Sequence, residues 1–348
     1  MENGQNTGVY LLDRGTDFIA GAETGITYEV RNESGDWEQY KPTDEWQRKI
    51  GGYDTLSCVT FSALNQVELQ VQYLIVNKLL SDAQIQKLHD LGYIDENGRP
   101  NFNDWFSSVM DNTTVNGNYL QAPWDSFRKD GLLPQKMGYA VTDFNSQAEW
   151  LAAKPTQAQK DYAKQILDII DIAYEWIPVA DKAKHLKQSP LHILTPTSSN
   201  WNTQPPTIIT DPGMKSVNHA TTCIGVTDTY VKDLDHYNPF IKYLALDYYI
   251  PYVIKGVVSP KKDITDEWSN FTYQFNINLS FGDNDTTEVN MLQRALQKLG
   301  YMTKGNYGPF GPATKAALYK FQIANGITGN YGVNFGPLTR KTMNNLMK

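Results

Sequence analysis

Three side-chain types that catalyse amide hydrolysis occur at suggestive places in this sequence of 348 residues. Cys58 begins a run with helical hydrophobic spacing, and a cysteine at a helix N-terminus is stabilised as the thiolate by the helix dipole and the N–H groups there. His219 opens a predicted strand, and Asp247 ends the next predicted strand. A thiolate, an imidazole and a carboxylate that orients the imidazole are the groups that nucleophilic attack on an amide requires.

Each of these residues also has a structural interpretation. A single cysteine on an apolar helix is commonly a core residue, and a histidine at a strand start is commonly a structural hydrogen-bonding group. The second cysteine, Cys223, lies four residues after His219, about 13 Å along a strand, so we predict a core position for it. We predict no metal and no cofactor, because CxxC, HExxH, Walker and dinucleotide-binding motifs are absent from the sequence.

The elements that must position these groups follow from the hydrophobic pattern. Apolar residues recur at helical spacing from residue 58 to residue 75, after capping candidates at Asp54, Thr55 and Ser57. A long helix is predicted over 157–176 and a short one over 180–187. Strands are predicted over 191–195, 220–226, 243–246 and 271–279. An early helix followed by later strands predicts a segregated α+β domain.

The last 60 or so residues contain an internal repeat. Phe310-Gly311-Pro312-Ala313-Thr314-Lys315 recurs as Phe335-Gly336-Pro337-Leu338-Thr339-Arg340. Proline suits the first position of a helix, so each copy predicts a helix start. An amphipathic helix over 289–299, closed by Gly300, precedes both copies. The pattern predicts a small three-helix unit.

Composition limits the partners and the location. The net charge of −7 and the pI of about 5.3 argue against nucleic acid or an anionic membrane as the main partner. No stretch approaches the roughly 18 apolar residues of a membrane span, and residues 1–7 do not resemble a signal peptide. We therefore expect synthesis in the cytoplasm of a host cell. A protein that acts on the cell wall would then be released or be carried there, for example on a phage particle.

Four segments occur in the order found in papain-like cysteine peptidases. Residues 55–63 around Cys58 resemble the nucleophile helix of that family, and residues 218–226 resemble its histidine strand. Between them, residues 127–134 and 186–191 resemble its glycine–aliphatic–proline stretch and its proline-containing strand entry. The resemblance covers roughly residues 45–255. It implies an α+β peptidase domain with Cys58 as the nucleophile and His219 as the base.

The sequence departs from the family pattern at two places. The orienting asparagine belongs to an Asn-Ser-Trp run in the family, and Leu246-Asp247-Tyr248-Tyr249 stands in its place, so the resemblance assigns the orienting role to Asp247. The oxyanion-binding glutamine of the family lies six residues before the cysteine, where this sequence has Gly52. Gln47 is the nearest upstream glutamine and is the candidate for that role. The alternative for Gln47 is a polar side chain in a turn.

Residues 288–347 resemble the three-helix peptidoglycan-binding domain of cell-wall hydrolases. The matching landmarks are Leu292-Gln293, Leu299-Gly300-Tyr301, Phe321-Gln322 and the two Phe-Gly-Pro copies. Most of them are architectural residues, so we expect ligand contacts at exposed loop residues, with Asn306, Tyr307, Asn330 and Tyr331 as candidates and ordinary loop roles as the alternative. The domains are predicted as an extension over 1–45, a peptidase over 46–258, a linker with a strand over 259–284 and a wall-binding domain over 285–348.

Together these patterns predict a cysteine endopeptidase at the bacterial cell wall, with peptidoglycan as binding partner and peptides as substrate. A lysin that cuts peptide bonds of peptidoglycan is the leading hypothesis. A wall-docked peptidase of proteins is one alternative. A catalytically inactive wall-binding or virion structural protein is the other, since Gly52 replaces the family glutamine.

Overall fold

The computed structural model describes residues 9–10, 29–261, 271–284, 286–302, 309–329 and 332–347. The chain divides into two compact units, Met1–Lys261 and Lys262–Lys348. Four predicted ligand residues, Asn306, Tyr307, Asn330 and Tyr331, lie outside the described residues.

The helix that begins at the cysteine is the centre of the first unit. This helix, α1 (Cys58–Val76), confirms the predicted element, and every residue from Cys58 to Leu74 is buried. A helix buried on all sides forms part of a core rather than a surface. Six shorter helices follow: α2 (Asp82–Asp90), α3 (Asp104–Met110), α4 (Ala122–Asp130), α5 (Gln147–Ala152), α6 (Gln157–Ala163) and α7 (Lys182–Leu186).

A seven-stranded sheet packs against α1. Its order is β3-β9-β4-β6-β7-β8-β5, and all neighbours are antiparallel except β8 and β5. The strands are β3 (Ile170–Trp176), β4 (Leu191–Thr195), β5 (Ile208–Ile209), β6 (His219–Val226), β7 (Tyr230–Leu234), β8 (Ile241–Ala245) and β9 (Tyr252–Pro260). A separate short parallel pair joins β1 (Val9–Tyr10) to β2 (Asn118–Tyr119). The predicted strands near 191–195, 220–226 and 243–246 are confirmed.

The predicted helix over 157–176 is correct only in its first part. Helix α6 ends at Ala163, a 3₁₀ turn covers Lys164–Asp168, and β3 begins at Ile170. All seven residues of β3 pair with β9. The β-branched and aromatic side chains of this segment suit a strand that is buried by its neighbours, and this tertiary pairing overrides a helical pattern.

Part of the predicted N-terminal extension belongs to the first unit. Trp37 is fully buried, its backbone N–H donates to the carbonyl of Ile224, and its indole N–H donates to the carbonyl of Leu186. Arg31 donates to the carbonyl of Val258 at 2.7 Å. Residues from Arg31 onward are therefore built into the sheet side of the unit.

The second unit contains the three predicted helices. They are α8 (Thr286–Lys298), α9 (Pro312–Ala324) and α10 (Pro337–Leu346), with a small pair of strands, β10 (Leu279–Ser280) and β11 (Asn334–Phe335). Only the end of the predicted 271–279 strand is extended in a sheet. Phe275 and Leu279, from the predicted linker, are buried in the core of this unit.

The two Phe-Gly-Pro copies form equivalent structures. In each, glycine is the N-cap residue, proline is at the helix start and threonine is buried. Gln293 of α8 donates to Thr314 Oγ1 at 2.8 Å, and Gln322 of α9 donates to Thr339 Oγ1 at 3.0 Å. Among the described helices, none combines the length and apolar character that a membrane span needs. The predicted fold class, an α+β domain followed by a three-helix domain, is confirmed.

Candidate active site

Cys58 is the first residue of α1 and is fully buried. The N-cap residue Ser57 makes no side-chain capping hydrogen bond. The helical hydrogen bonds begin only with the N–H groups of Thr60 and Phe61, which donate to the carbonyl of Ser57. The positive end of the helix dipole therefore lies at the sulfur, where it favours the thiolate.

A polar network holds the loop that leads into Cys58. Leu56 has a left-handed backbone conformation with φ of +53°, and its N–H donates to Asp54 Oδ1 at 2.9 Å. The Gln47 amide donates to Asp54 Oδ1 and to the Tyr237 hydroxyl, both at 2.8 Å, and Tyr237 donates to Asp54 Oδ2 at 2.6 Å. A backbone in this strained region persists only where its surroundings fix it.

Gln47, the predicted oxyanion donor, is buried in this network. Its amide nitrogen has two N–H groups, and Asp54 and Tyr237 each accept one of these hydrogen bonds. In this structure Gln47 therefore positions the loop before the nucleophile, which agrees with the turn role that was its alternative. Donation to an oxyanion stays a prediction, and it would require one of these two bonds to break.

His219 is the first residue of β6, and it pairs with a carboxylate. Its Nε2 lies 2.7 Å from Asp235 Oδ1, and both side chains are fully buried. Asp235 also accepts from the backbone N–H of His236 at 2.7 Å and from the Trp201 indole at 2.8 Å, and it forms an ion pair with Lys242 Nζ at 2.9 Å. Burial raises the pKa of Asp235, but Lys242 and His219 outweigh this and hold it well below its ordinary value. Asp235 is thus an ionised carboxylate that fixes the ring of His219.

The structure corrects the assignment of Asp247. The side chain of Asp247 is exposed. Asp247 lies two residues after Ala245, the last residue of β8, and Ala245 pairs with Tyr230 at the start of β7. Asp235 follows the other end of β7, and β7 is the direct neighbour of β6. The carboxylate that follows the adjacent strand reaches His219, whereas the carboxylate after the next strand does not.

Cys58 and His219 lie at the same end of the contact between α1 and β6. Thr222, three residues after His219, donates its hydroxyl to the backbone carbonyl of Ser62, four residues after Cys58, at 2.7 Å. The ring of Tyr237 lies 5.4 Å from the ring of His219, and the charge of Cys58 contributes, after burial and Asp54, to raising the pKa of Tyr237. The fold therefore brings a thiol and a histidine from distant sequence positions into one polar cluster.

Aromatic rings enclose the His219–Asp235 pair. Trp201 packs edge-on against His219 at 5.7 Å between ring centroids, and His236 does so at 5.2 Å. The His236 side chain is 1% exposed and packs on Phe61. Burial lowers the pKa of His236 to about 3, so its ring is neutral. The enclosure keeps water from the hydrogen bond that orients His219.

A metal ion does not suit this cluster. His219, Asp235 and His236 offer ligand atoms within 4.8 Å of one another. The ammonium of Lys242, however, lies 2.9 Å from Asp235 Oδ2 and already neutralises the only carboxylate among the three. A second cation there would be repelled at low dielectric.

The other cysteine is a core residue, as predicted. Cys223 is fully buried in β6, opposite Asp233 of β7. Burial, together with the charge of Asp233, raises the pKa of this thiol to about 12. Cys223 is therefore protonated and inert at neutral pH.

Sequence reasoning missed Asp235, Lys242 and Trp201. The signal for Asp235 was the turn sequence Asn238-Pro239 between two short runs with apolar residues, which marks the β7–β8 hairpin. Once that hairpin is recognised, Asp235 stands at the end of a strand beside the histidine strand. No local pattern pointed to Trp201, which comes from a loop after β4.

The second unit differs from the first in charge and has its own cavity. The second unit, Lys262–Lys348, contains nine Lys and Arg against six Asp and Glu, a net of +3, and its residues 285–348 contain eight against two, a net of +6. The first unit contains 22 against 32, a net of −10. A cavity of about 180 Å³ lies between α9 and α10, lined by Gln322, Ile327, Asn334 and Leu338 among others. This basic unit is suited to an anionic partner.

The match to a known family lies within the second unit. A family model described as "Putative peptidoglycan binding domain" matches residues 285–342. No curated protein matches the chain. Solved structures similar to it include xylellain, a cysteine protease from Xylella fastidiosa, with 15% identity and a TM-score of 0.46 over 74% of this chain and 96% of that chain.

Two other similar structures are cysteine proteases of plants. The bromelain protease from Ananas comosus in complex with the E64 inhibitor has 14% identity and a TM-score of 0.41, over 65% of this chain and 96% of that chain. The ragweed pollen allergen Amb a 11, in its proform, has 14% identity and a TM-score of 0.45, over 68% of each chain. The chain joins an α+β unit, in which the cysteine helix packs on the sheet that carries the histidine, to a C-terminal region whose residues 285–342 match the model of a peptidoglycan-binding domain.

Proposed function

We propose that this protein is a cysteine endopeptidase that is held at the bacterial cell wall and cleaves peptide bonds of peptidoglycan. The observation that carries the proposal is the convergence of Cys58, at an uncapped helix start, with the buried His219–Asp235 pair at the same end of the α1–β6 contact. The stem and cross-bridge peptides of peptidoglycan are the proposed substrates.

In the proposed reaction the Cys58 thiolate attacks the carbonyl carbon of the scissile amide. A C–S bond forms, and the carbonyl electrons move to oxygen. The N–H groups at the start of α1 stabilise the resulting oxyanion. The C–N bond then breaks as protonated His219 gives its proton to the leaving amine, and a thioester remains.

Water completes the cycle. His219 takes a proton from a water molecule, the hydroxide adds to the thioester carbonyl, and the C–S bond breaks to release the acid and the thiolate. Asp235 holds Nε2 of His219, so Nδ1 is the nitrogen that exchanges protons with Cys58 and the substrate. Asp235 is thus a positioning residue, and Lys242 and Trp201 keep it ionised and fixed.

The C-terminal domain supports wall attachment. Its net charge of +6 complements the carboxylates of peptidoglycan peptides, and Lys315, Lys320 and Lys341 are exposed on its described helices. Attachment raises the concentration of cleavable bonds at the active site without any new catalytic contact. Action at the wall after release from the producing cell, or on a phage particle, is the setting that we propose.

The decisive experiment is the release of fragments from purified peptidoglycan by the intact protein beside its Cys58→Ala variant, read by mass spectrometry. New amine termini from the intact protein alone would support the proposal and identify the bond. Cleavage of casein without release from peptidoglycan would favour a wall-docked peptidase of proteins. Retained sedimentation with peptidoglycan and no hydrolysis of either substrate would leave a binding protein.

A further inference from the structure

Ser62 lies one helical turn after Cys58, and its fully buried side chain makes two short hydrogen bonds. Its hydroxyl lies 2.7 Å from the backbone carbonyl of Cys58 and 2.6 Å from Nε2 of His192 in β4, with the carbonyl of Val59 farther away at 3.2 Å. A serine in a helix commonly bonds the carbonyl four residues earlier, but a buried histidine as second partner is a specific feature.

The direction of these hydrogen bonds is fixed by Trp124. Its indole N–H, which can only donate, lies 3.1 Å from Nδ1 of His192, so Nδ1 is the acceptor. Nε2 of His192 therefore carries the proton and donates to Ser62, and the Ser62 hydroxyl donates to the Cys58 carbonyl. Burial lowers the pKa of His192 to about 3, so this neutral tautomer persists throughout the neutral pH range.

The same residue of α1 is also held by the histidine strand. Thr222 of β6 donates its hydroxyl to the backbone carbonyl of Ser62 at 2.7 Å, and Thr222 pairs directly with His192 between β6 and β4. One turn further along α1, Gln66 donates to the carbonyl of Pro190, which precedes β4. These contacts fix the position of α1 along both strands.

We propose that Ser62, Thr222 and His192 are positioning residues that set the place of Cys58 relative to His219. The inference rests on the proposed function, since it concerns the same pair of reacting groups. Ser62 is the one residue in this group that binds the Cys58 carbonyl and both strands. A small slide of α1 along β6 would lengthen the contact between thiolate and imidazolium, and catalysis is sensitive to such displacements.

The test compares Thr222→Val with Thr60→Val. Each replacement removes one buried threonine hydroxyl. Thr222 contacts α1 from β6, and Thr60 is a residue of α1. The Thr60 hydroxyl donates to Asp111 at 2.6 Å, away from β4 and β6, so it is the matched control for the cost of losing such a bond. The measurements are the rate of Cys58 alkylation by iodoacetamide between pH 4 and pH 9, kcat and KM, and the melting temperature.

For Thr222→Val we expect a loss of about tenfold in alkylation rate at pH 6, a higher apparent pKa of Cys58 and a lower kcat at unchanged KM. Thr60→Val should lower the melting temperature but keep the wild-type alkylation profile. Thr222→Ser, which restores the hydroxyl, should restore the profile. Ser62→Ala is the second variant, because alanine suits a helix, and it should repeat the effect.

A wild-type alkylation profile in both Thr222→Val and Ser62→Ala would overturn the positioning role. An equal change in Thr60→Val would also overturn it, because the effect would then follow from any lost buried bond. If Cys58 of the wild-type protein is not alkylated below pH 7, the proposed peptidase function is wrong, whatever the variants show. The two failures are therefore distinguishable in one experiment.

Discussion

The two units of this chain both bury polar side chains, but they do so in different ways. In the second unit the same bond occurs twice, as Gln293 to Thr314 and Gln322 to Thr339, within a repeated sequence. In the first unit Asp235 contacts three side chains from separate elements, His219, Trp201 and Lys242, and the described residues hold no second copy of this arrangement. A duplicated buried bond indicates architecture, whereas a single convergence of charged groups indicates a site.

The two units also differ in where their charged groups lie. The ionic groups of the first unit that matter most are buried and paired, at Asp235 and Lys242. Several basic groups of the second unit are exposed on its helices, among them Lys315, Lys320 and Lys341. Buried pairs fix the geometry of reacting groups, and exposed charges attract a partner over distance. We therefore expect changes in the first unit to affect catalysis and changes in the second to affect wall binding.

We expect the strongest loss of activity from a change at Asp235 and almost none from the same change at Asp247. Asp235→Asn should lower kcat/KM by at least about 100-fold, because an amide does not stabilise the imidazolium or its tautomer as a carboxylate does. Asp247→Asn should leave kcat/KM within about twofold, since its side chain is exposed. Peptide hydrolysis is measured for both variants well below the melting temperature of each. Equal effects of the two changes would contradict the assignment of Asp235.

A second experiment tests the basic surface. Changing Lys315, Lys320 and Lys341 to Glu should weaken sedimentation with peptidoglycan by about tenfold or more at low salt, and the difference should shrink at high salt because ions screen surface charges. Hydrolysis of a short soluble peptide should be unchanged. Changing Lys78, Lys129 and Lys154 of the first unit to Glu is the control for charge alone. Equal loss in both triple variants would contradict a specific role for the C-terminal domain.

A third experiment tests the Gln–Thr hydrogen bond that occurs twice in the second unit, and we expect similar effects on stability at both copies. Thr314→Val and Thr339→Val should each lower the free energy of unfolding of the second unit by about 1–2 kcal/mol, because a buried glutamine amide loses its acceptor. Chemical denaturation followed by hydrogen exchange in α8–α10 measures this. Peptide hydrolysis should stay at the wild-type rate. A loss of hydrolysis would show that these bonds do more than support the three helices.

A pH-dependent effect on stability concerns Asp111, which accepts hydrogen bonds from Thr60, Thr113 and Asn118. Burial raises the pKa of Asp111 from 3.8 to about 7, although these bonds lower it. The folded state therefore holds this proton more tightly than the unfolded state, and the free energy of unfolding should fall as pH rises from about 4 to about 7.

Asp111→Asn removes that contribution. Between about pH 4 and pH 7 the melting temperature of the variant should therefore fall by a few °C less than that of the wild type. The difference between the two proteins is the quantity to follow, because burial also raises the pKa values of Glu68 and Asp104. Parallel curves for the two proteins would show that Asp111 keeps an ordinary pKa.

Several elements could be predicted from local sequence pattern alone. The helix from Cys58, the strand from His219 and the two Gly-Pro helix starts were predicted correctly, because hydrophobic period and proline placement act within a few residues. The three-helix domain was recognisable for the same reason, since its core residues lie on short neighbouring helices.

Which groups come into contact depends on the packing of the complete fold. The segment 170–176 became a strand because β9 lies beside it, and His219 took Asp235 rather than Asp247 because β7, not β8, is the neighbour of β6. Ser62 and His192 are 130 residues apart, yet they share a hydrogen bond. Such contacts depend on strand order and register, and these are set by the packing of the whole unit rather than by any local run of residues.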